Sequence, residues 1–226
     1  MVLKINNFFD EIINSLEKNT ITTIYGPPGS GKSTIAFQYC NSCINKNKKV
    51  IYIDTEGGFS VERIKQINPE IKLENIVVFS PKSFEEQQQT ISNLNKEIKN
   101  SKTVGLVIID SLVMLYRLKL GDAPQKINSE LGEQLRLLTE ISRNFDIPIL
   151  VINQMYKDFD SKKNKMVGGN LIEYWSKTII EIDKENDIKQ IKLIKHKSKK
   201  SGEIKQFEIK NSGIFEIKKR NFNLFN

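Results

Sequence analysis

Gly26-Pro27-Pro28-Gly29-Ser30-Gly31-Lys32-Ser33 has the spacing G-x-x-x-x-G-K-[ST], and its flanks decide the fold. Before it, Ile21-Thr22-Thr23-Ile24-Tyr25 reads as a buried strand; after it, residues 34–45 contain no helix breaker. A glycine-rich turn between a strand and a helix lets backbone N–H groups curl around a chain of phosphates, and the helix N-terminus adds its partial positive charge. Lys32 reaches the outer phosphates and the Ser33 hydroxyl holds Mg2+ as the helix begins. Gly26, Pro27, Pro28, Gly29, Ser30, Gly31, Lys32, Ser33 and Thr34 are therefore candidate ATP ligands. Lys32 is expected to face solvent when no nucleotide is bound. A glycine-rich turn without a ligand is the bland alternative.

Outward from this loop, apolar runs alternate with helical stripes. Val50-Ile51-Tyr52-Ile53, Ile76-Val77-Val78-Phe79, residues 104–109 and Ile149-Leu150-Val151-Ile152 read as strands, the third buried on both faces as parallel strands are. Between them, Ser83 and Glu86 suggest a capping box ahead of Phe84, Ile91, Leu94 and Ile98, and Ile127, Leu131, Leu135, Leu138, Ile141 and Phe145 mark a long amphipathic helix. A shorter helical stripe, Phe8, Phe9, Ile12, Ile13 and Leu16, covers residues 6–18. The alternation predicts an α/β fold with a mainly parallel twisted sheet flanked by helices. Beyond residue 175, four strand-like runs separated by Asn186-Asp187, Ser201-Gly202 and Asn211-Ser212-Gly213 predict an antiparallel extension of one sheet edge. The expected organisation is one domain: residues 1–19 an N-terminal helix, 20–175 the α/β core, and 176–226 basic antiparallel strands.

In open α/β sheets ligands lie outside the carboxyl ends of the strands. There, Ile53 leads into Asp54-Thr55-Glu56, Ile109 into Asp110-Ser111, and Ile152 into Asn153-Gln154. Asp110, closing a five-residue apolar run, is the candidate Mg2+ carboxylate beside Ser33, with a helix N-cap as its alternative. Glu56 is the candidate for activating water, since hydrolysis needs a carboxylate that the metal does not consume. Gln154 offers a neutral amide that can bond the terminal phosphate and move when it leaves, a switch rather than a base. Residues 155–168 follow, a polar loop with Lys157, Lys162, Lys163 and Lys165 that either grips a phosphate backbone or is an ordinary solvated loop.

Composition narrows the rest. Charged residues make up 27% of 226, and no apolar run approaches the roughly 18 residues of a membrane span, so a cytoplasmic protein is expected. Cys40 and Cys43 have C-x-x-C spacing, but a zinc site needs two further ligands and His196 is the single histidine, so core packing explains them better. His196 itself, among lysines, reads as a neutral surface residue. Residues 184–226 hold 12 Lys and Arg against 5 Asp and Glu, a surplus of 7 out of the net charge of +8. Such a patch suits a polyanion, and its centre is Lys195, Lys197, Lys199 and Lys200; a lysine-rich solvated face is the other reading, and charge alone does not choose.

Tyr52-Ile53-Asp54-Thr55-Glu56-Gly57-Gly58-Phe59 with Glu62-Arg63-Ile64 is close to a family signature. With the phosphate loop, it makes the chain resemble the RecA and RadA class of recombination ATPases, and most of all the short archaeal RadB branch, over roughly residues 6–217. The resemblance implies a RecA-type P-loop NTPase core, gives Glu56 the catalytic role and Gln154 the coupling role, and makes residues 112–117, ending at Arg117, the entry to a first DNA loop. Gly168-Gly169-Asn170 then ends the second. It is expected to depart from that class in having no additional N-terminal DNA-binding domain and no aromatic-x-x-small polymerisation motif, which would leave filament formation without its usual basis.

The function these features imply is an ATP-binding DNA repair and homologous recombination accessory protein. It binds single-stranded or branched DNA, hydrolyses ATP weakly, does not itself exchange strands, and modulates the main recombinase or a Holliday-junction nuclease. The alternatives are a self-sufficient DNA-dependent strand-exchange ATPase and a P-loop small-molecule or signalling kinase, the latter weakened by the lack of an arginine-rich lid.

Overall fold

The computed structural model describes residues 3–121, 123–157, 164–185 and 188–217. Its centre is a twisted sheet built from β1 (Ile21–Gly26), β2 (Lys49–Asp54), β3 (Ile76–Phe79), β4 (Val104–Asp110), β5 (Ile149–Lys157), β7 (Ser176–Glu185), β8 (Ile188–Lys195), β9 (Ile204–Lys210) and β10 (Gly213–Glu216), in the order β10-β9-β8-β7-β1-β5-β4-β2-β3, with β6 (Asn164–Met166) paired to β5. Strands β7, β1, β5, β4, β2 and β3 run parallel, while β7 to β10 form an antiparallel meander. β7 thus belongs to both parts, because its register with β1 is parallel.

Strand parity sorts the side chains into two cores. Along β4, Leu106 and Ile108 join one cluster and Val107 and Ile109 the other; β2 and β5 alternate in the same way, Val50, Tyr52, Leu150 and Ile152 against Ile51, Ile53, Ile149 and Val151. The first face is covered by α1 (Asn7–Ile13), α2 (Lys32–Ile44) and α3 (Val61–Ile67), the second by α4 (Phe84–Ser101), α5 (Met114–Lys119), α6 (Pro124–Phe145) and α7 (Gly169–Trp175). Each fully buried Leu or Ile contributes about 1.5–3 kcal/mol relative to exposure, so both helix layers are held by their apolar stripes rather than by propensity. Cys40 and Cys43 are buried free thiols in the first core, and burial pushes the Cys43 thiol up to about 12.

Several local expectations are corrected. The N-terminal helix is half the expected length: Asn14 turns left-handed (φ 70°) and ends α1, and Leu16 is buried instead through a bridge to Leu3. The capping box of α4 is half formed, since Ser83 Oγ accepts from the Glu86 N–H (3.1 Å) whereas Glu86 reaches back to the Lys82 N–H (2.7 Å). The polar segment 155–168 is partly a hairpin, β5 continuing to Lys157 with Met155 opposite Met166 and Tyr156 opposite Lys165. Its ends carry enough apolar surface to pair, which its lysine-rich middle concealed. Lys162 and Lys163 lie outside the described residues, as does the Asn186-Asp187 turn. Among the described residues no helix is long and apolar enough to cross a membrane.

Candidate nucleotide site

Gly31 caps α2 with φ 103°, a backbone shape that side chains with a Cβ avoid, and makes no side-chain cap bond. The first N–H groups of α2 are thus offered to a ligand instead of to a capping hydroxyl. A Cβ at position 31 would lie 2.7 Å from Ile209 Cδ1, so the β9–β10 hairpin also packs onto this turn. At Gly29, φ 70°, a Cβ would meet nothing within 4 Å, so the loop's outer side is open. Ser30 Oγ is buried with no hydrogen-bond partner.

Lys32 does not face solvent. Its ammonium is turned into the loop and donates to the carbonyls of Gly26 (2.9 Å) and Pro27 (2.8 Å), and burial pushes its pKa down against the pull of Asp110 and Glu56. The reason is local: the loop's carbonyls are the nearest acceptors when no anion fills its concavity.

Parity also explains the carboxylate. Asp110 follows Leu106 and Ile108 on the α2 face, so its side chain meets the start of α2: Ser33 Oγ donates to Asp110 Oδ2 at 2.8 Å. Tyr52, on the same face of β2, donates its hydroxyl to the same oxygen at 2.7 Å. Burial pushes the Asp110 carboxyl up, opposed by the Tyr52 and Ser33 hydrogen bonds, with Glu56 adding to the rise and Lys32 reducing it. Asp54 accepts N–H bonds from Glu56 (3.2 Å), Gly58 (3.0 Å) and Phe59 (3.0 Å), so it shapes the turn that carries Glu56. Thr55 ties that turn to the end of β4, donating to the Ser111 carbonyl (2.7 Å) and accepting the Ser111 N–H (3.0 Å).

The five expected side chains come together. Gln154 shares the Leu150 and Ile152 parity, and its Nε2 donates to Glu56 Oε1 at 2.6 Å, while Arg117 Nη1 donates to Gln154 Oε1 at 2.6 Å. The uncapped N-terminus of a helix, an ammonium, a hydroxyl and a buried carboxylate, with a buried serine Oγ lacking a partner beside them, make the donor set of a polyphosphate carrying a hard divalent cation. ATP with Mg2+ fits these residues.

Tyr52, Asp54 and Thr55 carry no chemical signal of their own in the sequence. A tyrosine inside an aliphatic strand, one strand over from the acid, was the available hint for the first. Behind the site, Gln87 on α4 donates to the Leu112 carbonyl (3.0 Å) and to Gln134 Oε1 (2.7 Å), a fully buried polar pair that the helical stripes of α4 and α6 do not announce.

The basic residues are more engaged than their count suggested. Lys195 donates to the Glu173 carbonyl (2.6 Å), Lys197 pairs with Glu17 (2.9 Å) and Lys199 donates to the Glu11 carbonyl, whereas Lys200 is exposed; Lys165 lies on β6 and Lys157 ends β5. His196 is not on the surface: its side chain is fully buried, and Nδ1 accepts the N–H groups of Ser198 (3.1 Å) and Lys199 (3.2 Å). Nε2 therefore carries the ring proton and points 3.9 Å from Glu17 Oε1.

Comparison with known proteins adds a lineage to this geometry. The Rad51 family model matches residues 4–217. A protein of Methanosphaera stadtmanae described as "DNA repair and recombination protein RadB" is 40% identical over 222 residues, covering 95% of each chain. One of Methanococcus maripaludis with the same description is 42% identical over 217 residues, covering 93% of this chain and 98% of that protein. A solved structure described as "Crystal structure of the RadB recombinase" superposes with a TM-score of 0.78 at 30% identity, covering 93% of this chain and 96% of its own.

Proposed function

The chain belongs to the Rad51 family, in its archaeal RadB branch, and has the RecA-type P-loop NTPase fold; from that premise we propose that it is an ATP-binding accessory protein of DNA repair and homologous recombination. In this reading it binds single-stranded or branched DNA, hydrolyses ATP weakly, does not itself exchange strands, and modulates the main recombinase or a Holliday-junction nuclease.

The observation that carries the nucleotide reading is the convergence of Lys32, Ser33, Glu56, Asp110 and Gln154 at one end of the parallel strands. Mg2+-bound ATP supplies the activated terminal phosphate. Of the chain's own groups, Lys32 would exchange the Gly26 and Pro27 carbonyls for phosphate oxygens, and Ser33 and Asp110 would hold the cation. Glu56 takes the proton of the attacking water, and Gln154 is the amide placed to sense the terminal phosphate. Weak turnover is supported by the Gln154 N–H bond to Glu56, which occupies one of the two carboxylate oxygens that could accept a water proton. The lack of strand exchange is supported by the segment after Asp110, where Lys119 is paired with Glu85 and Lys126 with Glu130.

The test measures ATP affinity, ATP hydrolysis and DNA binding side by side. We expect Mg2+-dependent ATP binding that Lys32→Ala abolishes, slow hydrolysis, and DNA retention on filters at low salt that fades as salt rises. No ATP binding, or no DNA affinity at low salt, overturns the reading.

A further inference from the structure

The side-chain amide of Gln154 sits between two groups of opposite charge. Its Nε2 donates to Glu56 Oε1 and its Oε1 accepts from Arg117 Nη1, both at 2.6 Å. A guanidinium has only donors and a carboxylate only acceptors, so the amide satisfies both in one orientation, oxygen towards Arg117 and nitrogen towards Glu56. Turned over, it would set a carbonyl against a carboxylate and an NH2 against a cation. Arg117 therefore decides which end of the amide Glu56 meets.

Of the described cations on the segment after Asp110, Arg117 is also the one that a phosphate would withdraw most readily. Lys119 is held by the Glu85 carboxylate and Lys126 lies 3.9 Å from that of Glu130, whereas the Arg117 guanidinium donates to a neutral amide oxygen. In the bond to Gln154 only the donor is ionised, whereas with a phosphate both partners are, and a guanidinium can grip a phosphate with two parallel hydrogen bonds. Arg117 is exposed, whereas its neighbours Leu115 and Tyr116 are buried and anchor α5, with the Tyr116 hydroxyl donating to Asn128 Oδ1 at 2.6 Å. The guanidinium can swing without moving the helix.

We propose that Arg117 is a positioning residue that fixes the Gln154 amide against Glu56, and that a nucleic-acid phosphate competing for its guanidinium releases that amide. DNA binding would then be read at the carboxylate through one side-chain exchange. The inference rests on the nucleotide-site reading for its consequence, but the exchange itself needs no nucleotide.

The test has two arms. In the first, the side-chain NH2 signals of Gln154, assigned by their loss in Gln154→Ala, are followed by NMR in nucleotide-free protein as a short oligothymidylate is added. In the native chain the signals should move on addition. In Arg117→Ala they should start displaced and not respond, and Arg117→Lys should restore part of the native position. Signals unchanged by Arg117→Ala, or shifted by the oligonucleotide equally with and without Arg117, or unmoved by it in the native chain, overturn the proposal. In the second arm, the ratio of ATP hydrolysis with and without the oligonucleotide should fall to about 1 in Arg117→Ala, the KM for ATP staying within twofold, while the DNA-free rate changes by about 2- to 10-fold, the worth of one hydrogen bond. A ratio unchanged by Arg117→Ala also overturns it. If the chain does not bind ATP at all, the nucleotide-site reading fails while the first arm still decides the exchange.

Discussion

Tyr52→Phe removes one oxygen and leaves the ring packing with Phe37 and Phe59 in place. The lost atom is one of two hydroxyl donors to Asp110 Oδ2, at 2.7 Å, the other being Ser33 at 2.8 Å. A hydrogen bond to a charged group is worth about 1.5–3 kcal/mol, and a chain of this size loses about 2–4 °C of Tm per kcal/mol, so a fall of about 3–12 °C at neutral pH is expected. The pH dependence fixes the cause. Burial already raises the Asp110 carboxyl above its ordinary 3.8. Between 3.8 and its value in the fold, the native state binds more protons there than the unfolded chain, and this residue's contribution to stability falls as pH rises through that window. Removing a donor to the charged form raises the folded value further. The effect of Tyr52→Phe is thus greatest above the window and shrinks below it, where a protonated carboxyl loses only a neutral hydrogen bond of about 0.5–1.5 kcal/mol. Thermal unfolding followed by circular dichroism at neutral and at acid pH measures the difference. Equal destabilisation at both, or less than about 0.5 kcal/mol at neutral pH, would refute the argument that this hydroxyl supports a buried charge.

Gly31→Ala should lose about 1–3 kcal/mol of stability and most ATP affinity, because φ 103° is strained for alanine and the new Cβ meets Ile209 at 2.7 Å; chemical denaturation and isothermal titration check both. Gln87→Leu should cost about 1–3 kcal/mol by leaving the Gln134 amide and the Leu112 carbonyl buried without that partner, and adding Gln134→Leu should recover part of the loss, which a double-mutant cycle in urea reads. Replacing Lys195, Lys197, Lys199 and Lys200 by Ala should weaken DNA binding and flatten its salt dependence. Four released phosphates would change the slope by about 2.8 on a single strand, but with Lys197 paired to Glu17 and Lys199 bonded to Glu11 a change of about 1–2 is expected, and filter binding across salt concentrations decides it.

The parallel sheet and the ends of its strands were legible because strand parity is a local property: once the apolar run of β4 is fixed, Asp110 must face α2, and the same count along β5 turns Gln154 to that face. What the sequence hid depends on register between strands or on contacts between distant segments. Tyr52 meets Asp110 only because β2 and β4 pair Tyr52 with Ile108 and Asp54 with Asp110, an alignment that no spacing within either strand dictates. The hairpin of β5 and β6 was hidden by averaging its apolar ends with a polar middle.

The basic C-terminal segment shows why a charge count is weaker than a strand count. Its surplus of 7 treats every lysine as available, yet Lys199 and Lys205 both reach Glu11, Lys197 reaches Glu17, and Lys205 also lies 3.6 Å from Glu216. Two of those acids stand nearly the whole chain away from their partners, where no window along the sequence could bring them together. The buried imidazole of His196 reinforces the same junction, its Nδ1 bonded to the backbone that sets Ser198 and Lys199 in place. A phosphate backbone arriving here must therefore compete with carboxylates already seated, so affinity for DNA at this face should rise when Glu17 is neutralised to Gln, and a Glu17→Gln variant that binds no more tightly at low salt would assign the polyanion to another surface.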